Sequence, residues 1–173
     1  MSRPRASVLI LIILLAAFAR LIPHPFNATP ITAIALFGGA QFSNRKLAYI
    51  TTLSAMILSD IFLGGYHRLL PLVYVYFMVV VAAGSWLREH KTPLAIAGTT
   101  LACSIVFFMI TNFAVWLNDR LYPMTFDGLA QCFAAAIPFF HNTVLGDGFF
   151  VVVLFGGFAL AEKRFPILQI QNS

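Results

Sequence analysis

Long apolar stretches alternate with short polar connections along this chain, and most charged residues lie in the connections. The apolar stretches cover roughly residues 7–22, 30–43, 47–63, 70–87, 93–117 and 137–161. A helix that crosses a bilayer needs about 17–25 apolar residues, and every stretch but the second reaches or nearly reaches that length. The pattern therefore predicts an all-α integral membrane protein, a bundle of six transmembrane helices that forms a single domain over residues 1–173.

The second stretch is short for a membrane span. At about 1.5 Å per residue it would extend only about 21 Å. It could form a full span, a tilted half-helix or a re-entrant segment. Gly38 and Gly39 within it predict close packing against a neighbouring helix, because small residues let helix backbones approach one another.

The connection 118–136 is the one long polar segment between apolar stretches. Leu129, Phe133 and Ile137 recur in it and just after it at helical spacing. We therefore expect a separate short helix in this connection, lying at the outer membrane surface before the last span begins.

Composition excludes a soluble domain. The chain is 60% hydrophobic and 10% charged, and its mean hydropathy is +0.88, whereas soluble domains carry about 25% charged residues. The net charge of +5 comes from scattered residues and not from a basic patch interleaved with aromatic residues, so we expect no nucleic-acid partner. Cys103 and Cys132 form no metal-spaced motif, and we expect no bound metal and no cofactor.

Lysine and arginine residues indicate the orientation. If the N-terminus is cytoplasmic and the chain crosses six times, the cytoplasmic side holds many more basic residues than the outer side. The cytoplasmic set is Arg3, Arg5, Arg45, Lys46, Arg88, Lys91, Lys163 and Arg164, and the outer set is Arg20, Arg68 and Arg120. This bias predicts that both termini are cytoplasmic. The Ala17-Phe18-Ala19 sequence allows a cleaved signal peptide as an alternative, but the apolar stretch continues through Ile22.

Polar residues within the predicted helices concentrate toward the outer side. A charge at bilayer depth is costly, so it usually faces a bundle interior or a wet cavity and has a partner. The outer halves hold the candidate substrate-binding residues, whereas the inner halves are almost wholly apolar. The candidates are Arg20, His24, Asn27, Asp60, His67, Tyr74, Asn112, Trp116, Tyr122, His141, Asn142 and Asp147. We therefore predict a polar chamber that opens outward, in which Arg20 has a carboxylate partner.

Structural explanations exist for some of these residues. An arginine–aspartate pair could simply fix the register of two helices. His24 and His67 fall in outer loops, where an interfacial location is the ordinary explanation. Trp116 and Tyr122 fall where an aromatic belt is expected. The common depth of the whole set favours a binding chamber, because structural ion pairs have no reason to share one level.

Motifs for several activities are absent from the sequence. It contains no Gly-Lys-Ser/Thr phosphate loop, no His-Glu-x-x-His, no Gly-x-Ser-x-Gly and no arginine series for voltage sensing. The interior charges are too few for an autonomous proton relay, so transport would need energy from a partner. We therefore expect a binding subunit and not an enzyme. The alternatives are a structural or assembly membrane protein and, less favoured, an enzyme for a lipid-linked substrate with Asp60, Asp147 and His141 as its acid–base set.

Short distinctive segments are spread from about Arg20 to Pro166. They are Arg20-Leu-Ile-Pro-His-Pro-Phe-Asn27, Thr29-Pro30, Ala35-Leu-Phe-Gly-Gly-Ala40, Leu58-Ser-Asp60, Thr111-Asn-Phe-Ala-Val-Trp-Leu117, Leu121-Tyr-Pro123, Pro138-Phe-Phe-His-Asn-Thr143 and Gly146-Asp147. In these segments the chain resembles a bacterial family of proposed transport proteins, DUF6580. That family is similar to the substrate-binding (S) components of energy-coupling factor (ECF) vitamin importers, which are six-helix bundles with cytoplasmic termini and an outward-facing pocket.

The resemblance implies a vitamin or micronutrient importer subunit in the bacterial inner membrane, which works with an energising membrane subunit and its ATPases. Some relatives are predicted cobalamin transporters, so the resemblance also implies a cobalt ligand near the outer pocket. His67, His24 and His141 are the candidates, and Cys132 is a poorer one. S components commonly dock their partner through an Ala-x-x-x-Ala motif on the first helix. That motif is absent from the first helix of this chain, which leaves the energy source open.

Overall fold

The computed structural model describes residues 3–23, 25, 27–64 and 68–169, and these residues form helices and loops without any strand. The helices are α1 (Arg3–Phe18), α2 (Ile31–Gln41), α3 (Arg45–Leu63), α4 (Leu70–Leu87), α5 (Pro93–Asn118), α6 (Phe126–Val151) and α7 (Gly157–Arg164). A 3-10 turn (Ala19–Leu21) follows α1, a π-helical turn (Val152–Gly156) joins α6 to α7, and a second 3-10 turn (Pro166–Leu168) follows α7. Because α6, the π turn and α7 are continuous, they form one helical rod, called the final rod below.

Within the described ranges, five helical segments are long and apolar enough to cross a membrane. They are Arg3–Leu21, Arg45–Leu63, Leu70–Leu87, Pro93–Asn118 and Phe126–Arg164. Large apolar side chains cover the outside of the bundle, and Leu145 and Val152 are each 71% exposed. Soluble monomers rarely expose large contiguous apolar surfaces, whereas lipid tails favour them. The prediction of an all-α chain with several helices of membrane-spanning length is confirmed.

The second apolar stretch forms α2, which lies at the centre of the bundle. It contacts α1, α3, α4, α5 and α6, and all 11 of its residues are buried. At about 1.5 Å per residue it is about 16 Å long, too short to cross a hydrocarbon core of about 30 Å by itself. Its apolar side chains therefore pack against the other helices and are shielded from lipid.

Helices α2 and α4 pack backbone against backbone. A Cβ atom at Gly39 would collide with the main chain of Val81 and Ser85, and one at Gly84 would collide with the main chain of Leu36. Close approach of helices requires small residues at the contact. The close packing predicted from Gly39 is confirmed, and Gly84 is the matching residue on the neighbouring helix.

The helices run alternately between two ends of the bundle. Helix α1 starts at what we call the Arg5 end and leads to the Arg20 end. Helix α2 returns to the Arg5 end, where Gln41 Oε1 accepts a hydrogen bond of 3.0 Å from Arg5. Helix α3 leads back to the Arg20 end, where Asp60 pairs with Arg20. The final rod finishes at the Arg5 end, where Glu162 pairs with Arg5. Residues near both chain ends therefore lie together.

A buried polar cluster occupies the Arg5 end. Arg5 is only 1% exposed, pairs with Glu162 and donates to the main-chain carbonyl of Leu168. Gln41 Oε1 accepts hydrogen bonds from both Arg5 and Lys91, the latter at 3.1 Å. The expectation that this half is almost wholly apolar is therefore wrong. The reason is that α1 begins several residues before the apolar stretch, so that Arg5 is part of a helix packed inside the bundle.

The connection 118–136 is helical from Phe126 onward, as expected, but this helix is continuous with the last span and is not a separate element. Helix α6 begins at Phe126, after Thr125, whose side-chain oxygen accepts a hydrogen bond of 3.2 Å from the main-chain N–H of Gly128. A side-chain cap of this kind stabilises the start of a helix, and α6 continues from there into the last span. The final rod has 39 residues, or about 58 Å, so it must tilt or extend beyond a hydrocarbon core of about 30 Å.

Candidate functional site

A cavity of about 380 Å³ lies at the Arg20 end, between the end of α1, the start of α2, the start of α4 and the helices α5 and α6. Its polar lining consists of Arg20, Asn27, Thr29, Thr32, Thr111, Asn112, Thr143 and Asp147. Its apolar walls include the aromatic rings of Phe77, Phe107, Phe108 and Phe139. A few polar groups among aromatic walls are characteristic of a small-molecule site.

Asp147 is the most deeply placed charged residue of the cavity. It lies on α6 and is only 2% exposed. Ser104 of α5 donates a hydrogen bond of 2.6 Å to its Oδ2 atom, and Thr32 of α2 also hydrogen-bonds to the carboxyl group. Within the described part of the chain no cationic side chain pairs with it. A buried ionised carboxylate that lacks a cation is costly, so Asp147 is suited to receive a donor from a ligand.

Arg20 is held beside the cavity by residues of α3 and α4. Its guanidinium lies 2.7 Å from Asp60 Oδ1 and donates to Ser59 Oγ. Tyr74 Oη donates a hydrogen bond of 2.6 Å to Asp60 Oδ2. The expectation of a carboxylate partner for Arg20 is confirmed. Asp60 and Tyr74 do not line the cavity themselves, and their contacts orient the arginine that does.

Asn27 and Asn112 line the cavity from a loop and from a helix. Asn27 lies in the connection between α1 and α2 with a left-handed backbone (φ 65°), a conformation that asparagine tolerates better than most residues. The Asn112 amide donates a hydrogen bond of 2.8 Å to the carbonyl of Phe108, one turn earlier on α5. The structure thus brings Arg20, Asn27, Asn112 and Asp147 of the predicted set into one cavity.

His141 and Asn142 do not reach the cavity, although both are on α6. Thr143 and Asp147 are four residues apart and share the face that lines it. At 3.6 residues per turn, His141 and Asn142 point in other directions from the same helix. His141 is exposed and Asn142 is half-buried. The prediction that they face the chamber is corrected, because depth in the membrane does not determine the direction of a side chain.

Trp116 and Tyr122 also lie outside the cavity lining. Trp116 Nε1 donates a hydrogen bond of 2.9 Å to the carbonyl of Pro123, which ties the end of α5 to the loop before α6. Tyr122 is in that loop and is half-buried. His24 and His67 lie outside the described residues.

Several hydroxyl groups of the site are missing from the predicted set. Thr32, Thr111 and Thr143 line the cavity, and Ser104 holds Asp147. Hydroxyl side chains inside apolar helices are common and often bond only to their own backbone, so each one alone is a weak signal. The four-residue spacing between Thr143 and Asp147 is the one pattern that could have identified a member of this group.

Among the described residues no group of three or more His, Cys, Asp or Glu side chains could hold a metal ion. Cys132 is buried, and its thiol contacts the main-chain carbonyl of Asn112 at 3.5 Å. His141 points away from the cavity. Neither residue is therefore placed as a cobalt ligand for a molecule in this cavity.

A family model described as "Family of unknown function (DUF6580)" matches residues 1–168. No curated protein and no solved structure matches the chain.

Proposed function

Because the chain belongs to the DUF6580 family, whose description assigns no function, we propose from the geometry of its cavity that it is the membrane-embedded substrate-binding subunit of a nutrient importer. The single observation that carries this proposal is Asp147, a buried carboxylate without a cationic partner in the described structure, which faces a cavity of about 380 Å³. A packed structural bundle has no use for such a group, because its burial is costly.

The cavity favours a particular class of ligand. Arg20 and Asp60 neutralise one another, so an ionised Asp147 gives the site an uncompensated negative charge. A ligand with a protonated amine or a heteroaromatic N–H group would supply the missing donor. The rings of Phe77 and Phe107 offer flat apolar walls for the rest of the molecule. We propose a small, ring-containing vitamin or related nutrient.

The volume of the cavity argues against cobalamin as the ligand. Drug-sized ligands occupy pockets of about 300–1,000 Å³, and a cavity of about 380 Å³ is at the small end of that range. A corrin macrocycle with its nucleotide loop is bulkier than this cavity. A smaller vitamin therefore fits the proposal better than the cobalamin implied by some relatives of the family.

The importer part of the proposal rests on the similarity to ECF S components. Like them, the part of the chain that the structure describes has six helical rods and a cavity at one end of the bundle. It would bind its ligand at the outer side of the bacterial inner membrane and receive energy from a membrane subunit with ATPases. Because the Ala-x-x-x-Ala motif is absent from α1, docking to that subunit would use a different contact.

The enzyme alternative finds no support in the arrangement of its proposed residues. Asp60 is paired with Arg20, Asp147 lies in the cavity, and His141 is exposed on another face of α6. They do not converge as an acid–base set must. A structural or assembly role remains the rival, and the growth experiment below separates it from transport.

Both termini should be cytoplasmic. Arg5 near one chain end pairs with Glu162 near the other, so the two ends share a side of the membrane, and the positive-inside bias assigns that side to the cytoplasm. A green fluorescent protein fused to the C-terminus should fluoresce, whereas alkaline phosphatase at the same position should be inactive. Active phosphatase together with a dark fluorescent fusion would reverse the orientation.

The function should be visible as vitamin-dependent growth. We would express the chain in bacteria that require one external vitamin and lack its uptake system, testing one vitamin at a time. Growth at low external concentrations, together with a small molecule retained by the purified protein in native mass spectrometry, is the expected result. If no vitamin restores growth and the purified protein retains no small molecule, the importer proposal is wrong and a structural role is favoured.

A further inference from the structure

A second, larger groove lies on the other side of the Ser104–Asp147 hydrogen bond from the cavity. It has a volume of about 590 Å³ and runs between the first half of α5 and the final rod. The groove extends from Ser104, near the middle of the bundle, to Lys91 at the Arg5 end. Apart from Lys91 and two hydroxyl groups, those of Thr100 and Ser104, the side chains that line it are apolar.

The length of the groove matches one leaflet of a bilayer. From Pro93 to Ser104 the groove follows α5 for 11 residue steps, which is about 16 Å at about 1.5 Å per residue. Half of a hydrocarbon core of about 30 Å is about 15 Å. The groove therefore has the length, the apolar lining and the open side of a slot for an acyl chain.

Positive charge is concentrated where the groove reaches the Arg5 end. Lys91 lines the groove, and the charges of Arg5, Arg88 and Glu162 act on it. Three cations and one carboxylate leave this region with an excess of positive charge. Burial lowers the pKa of the Lys91 amino group, and the repulsion from Arg5 and Arg88 acts in the same direction. The Lys91 amino group donates a hydrogen bond to Gln41 Oε1.

Lys163 extends this positive region along the final rod. Ala159 lines the groove, and Lys163 follows it by four residues, so it lies on the same helix face one turn closer to the end. An anionic group at the mouth of the groove would thus be approached by Lys91 from one wall and by Lys163 from the other.

We propose that this groove binds an anionic phospholipid, with one acyl chain between α5 and the final rod and the phosphate at Lys91. The apolar lining of the groove suits the acyl chain of the lipid. The excess positive charge at the Arg5 end favours an anionic headgroup over a neutral one. On the proposed topology the lipid belongs to the cytoplasmic leaflet. This site is independent of the nutrient cavity, since it requires only that the helices lie in a membrane.

Two glycines offer a way to fill the groove without disturbing the fold. Gly148 lines the groove, whereas Gly157 on the same rod does not, and a Cβ atom at either residue would meet nothing within 4 Å. Gly148→Leu therefore occupies the slot, and Gly157→Leu is the matched control. Lys91→Gln removes the charge from the groove, and Lys46→Gln, at an exposed residue of α3, is its control.

The test is native mass spectrometry of the full-length protein after incubation with dioleoyl-phosphatidylglycerol or dioleoyl-phosphatidylcholine. The wild type should retain phosphatidylglycerol about fivefold better, since a basic residue near anionic lipid contributes about 1 kcal/mol. Lys91→Gln should lose most of that preference, and Gly148→Leu should lose retention of both lipids, whereas the two controls behave as wild type. Equal retention of the two lipids by the wild type, or unchanged retention by Gly148→Leu, overturns the proposal. A dimer that Gly148→Leu disrupts would instead assign the groove to a second copy of the chain.

Discussion

Replacing Asp147 with asparagine should weaken the binding of the retained small molecule by about 10- to 100-fold. A hydrogen bond to a charged group contributes about 1.5–3 kcal/mol, and about 1.4 kcal/mol corresponds to a tenfold change in affinity. Asparagine keeps the size of the side chain and an oxygen that can accept from Ser104, so the bundle should still form. The loss is therefore expected in affinity and in vitamin-dependent growth, with little change in the amount of protein in the membrane.

The matched control is Asp119→Asn. Asp119 is the exposed C-terminal cap of α5 and does not line the cavity, so its replacement should leave binding unchanged. Affinity is read from the fraction of protein that carries the ligand across a titration in native mass spectrometry. Wild-type affinity in Asp147→Asn would show that the carboxylate is not the anchor. If the ligand still bound and supported growth, nutrient transport would survive and the assigned pocket would be wrong.

Breaking the Arg20–Asp60 pair should cause a large loss of stability. The two side chains are only 12% and 13% exposed, and removing one partner of a buried ion pair costs about 3–5 kcal/mol. Among the described residues, Arg20→Met leaves Asp60 with the hydrogen bond from Tyr74 and no cationic partner, and Asp60→Asn takes away the carboxylate that pairs with Arg20. We expect each single variant to unfold at a clearly lower temperature in detergent than the wild type.

The double variant Arg20→Met/Asp60→Asn should recover part of the lost stability, because it leaves no buried charge without a partner. The unfolding free energies of the wild type, the two single variants and the double variant together give the coupling energy of the pair. Tyr74→Phe should have a smaller effect, about 1 kcal/mol, since it removes one hydrogen bond. Arg68→Gln, at an exposed arginine near the same end, is the control. A double variant as unstable as the sum of the two single variants would mean that the observed contact contributes nothing.

The apolar pattern predicts which segments are helical because the helices are apolar whether they lie inside the bundle, as α2 does, or on its apolar surface. It also predicts the depth of Arg20 and Asp60, and a charge at that depth requires a partner. It does not record the direction of each side chain around its helix, so it places His141 in the chamber although that side chain does not line the cavity. The direction of a side chain depends on how its helix is rotated against the neighbouring helices. The contact between α2 and α4 at Gly39 and Gly84 is an example of packing that sets this rotation.

The Arg5 end shows a second limit of the sequence pattern. The sequence pattern predicts that Arg5 and Lys91 lie in polar connections, because they flank apolar stretches. The burial of Arg5 depends on Glu162 and the Leu168 carbonyl, which are more than 150 residues away along the chain, and Lys91 joins the cluster through Gln41. A long-range contact of this kind leaves no periodic signal, so no window along the chain could have revealed it.

The π-helical turn between α6 and α7 determines how the final rod can tolerate changes in length. A turn of this type accommodates one extra residue within an α-helix. Losing one residue from Val152–Gly156 would convert the turn to ordinary α-helix. Asp147 would still face the cavity, and Glu162 would still face Arg5. Losing one residue from α7 before Glu162 would rotate that side chain by about 100° away from Arg5, because each residue advances an α-helix by that angle. Natural deletions in this rod should therefore be concentrated in one short segment, which separates the part that lines the cavity from the part that ties the two chain ends together.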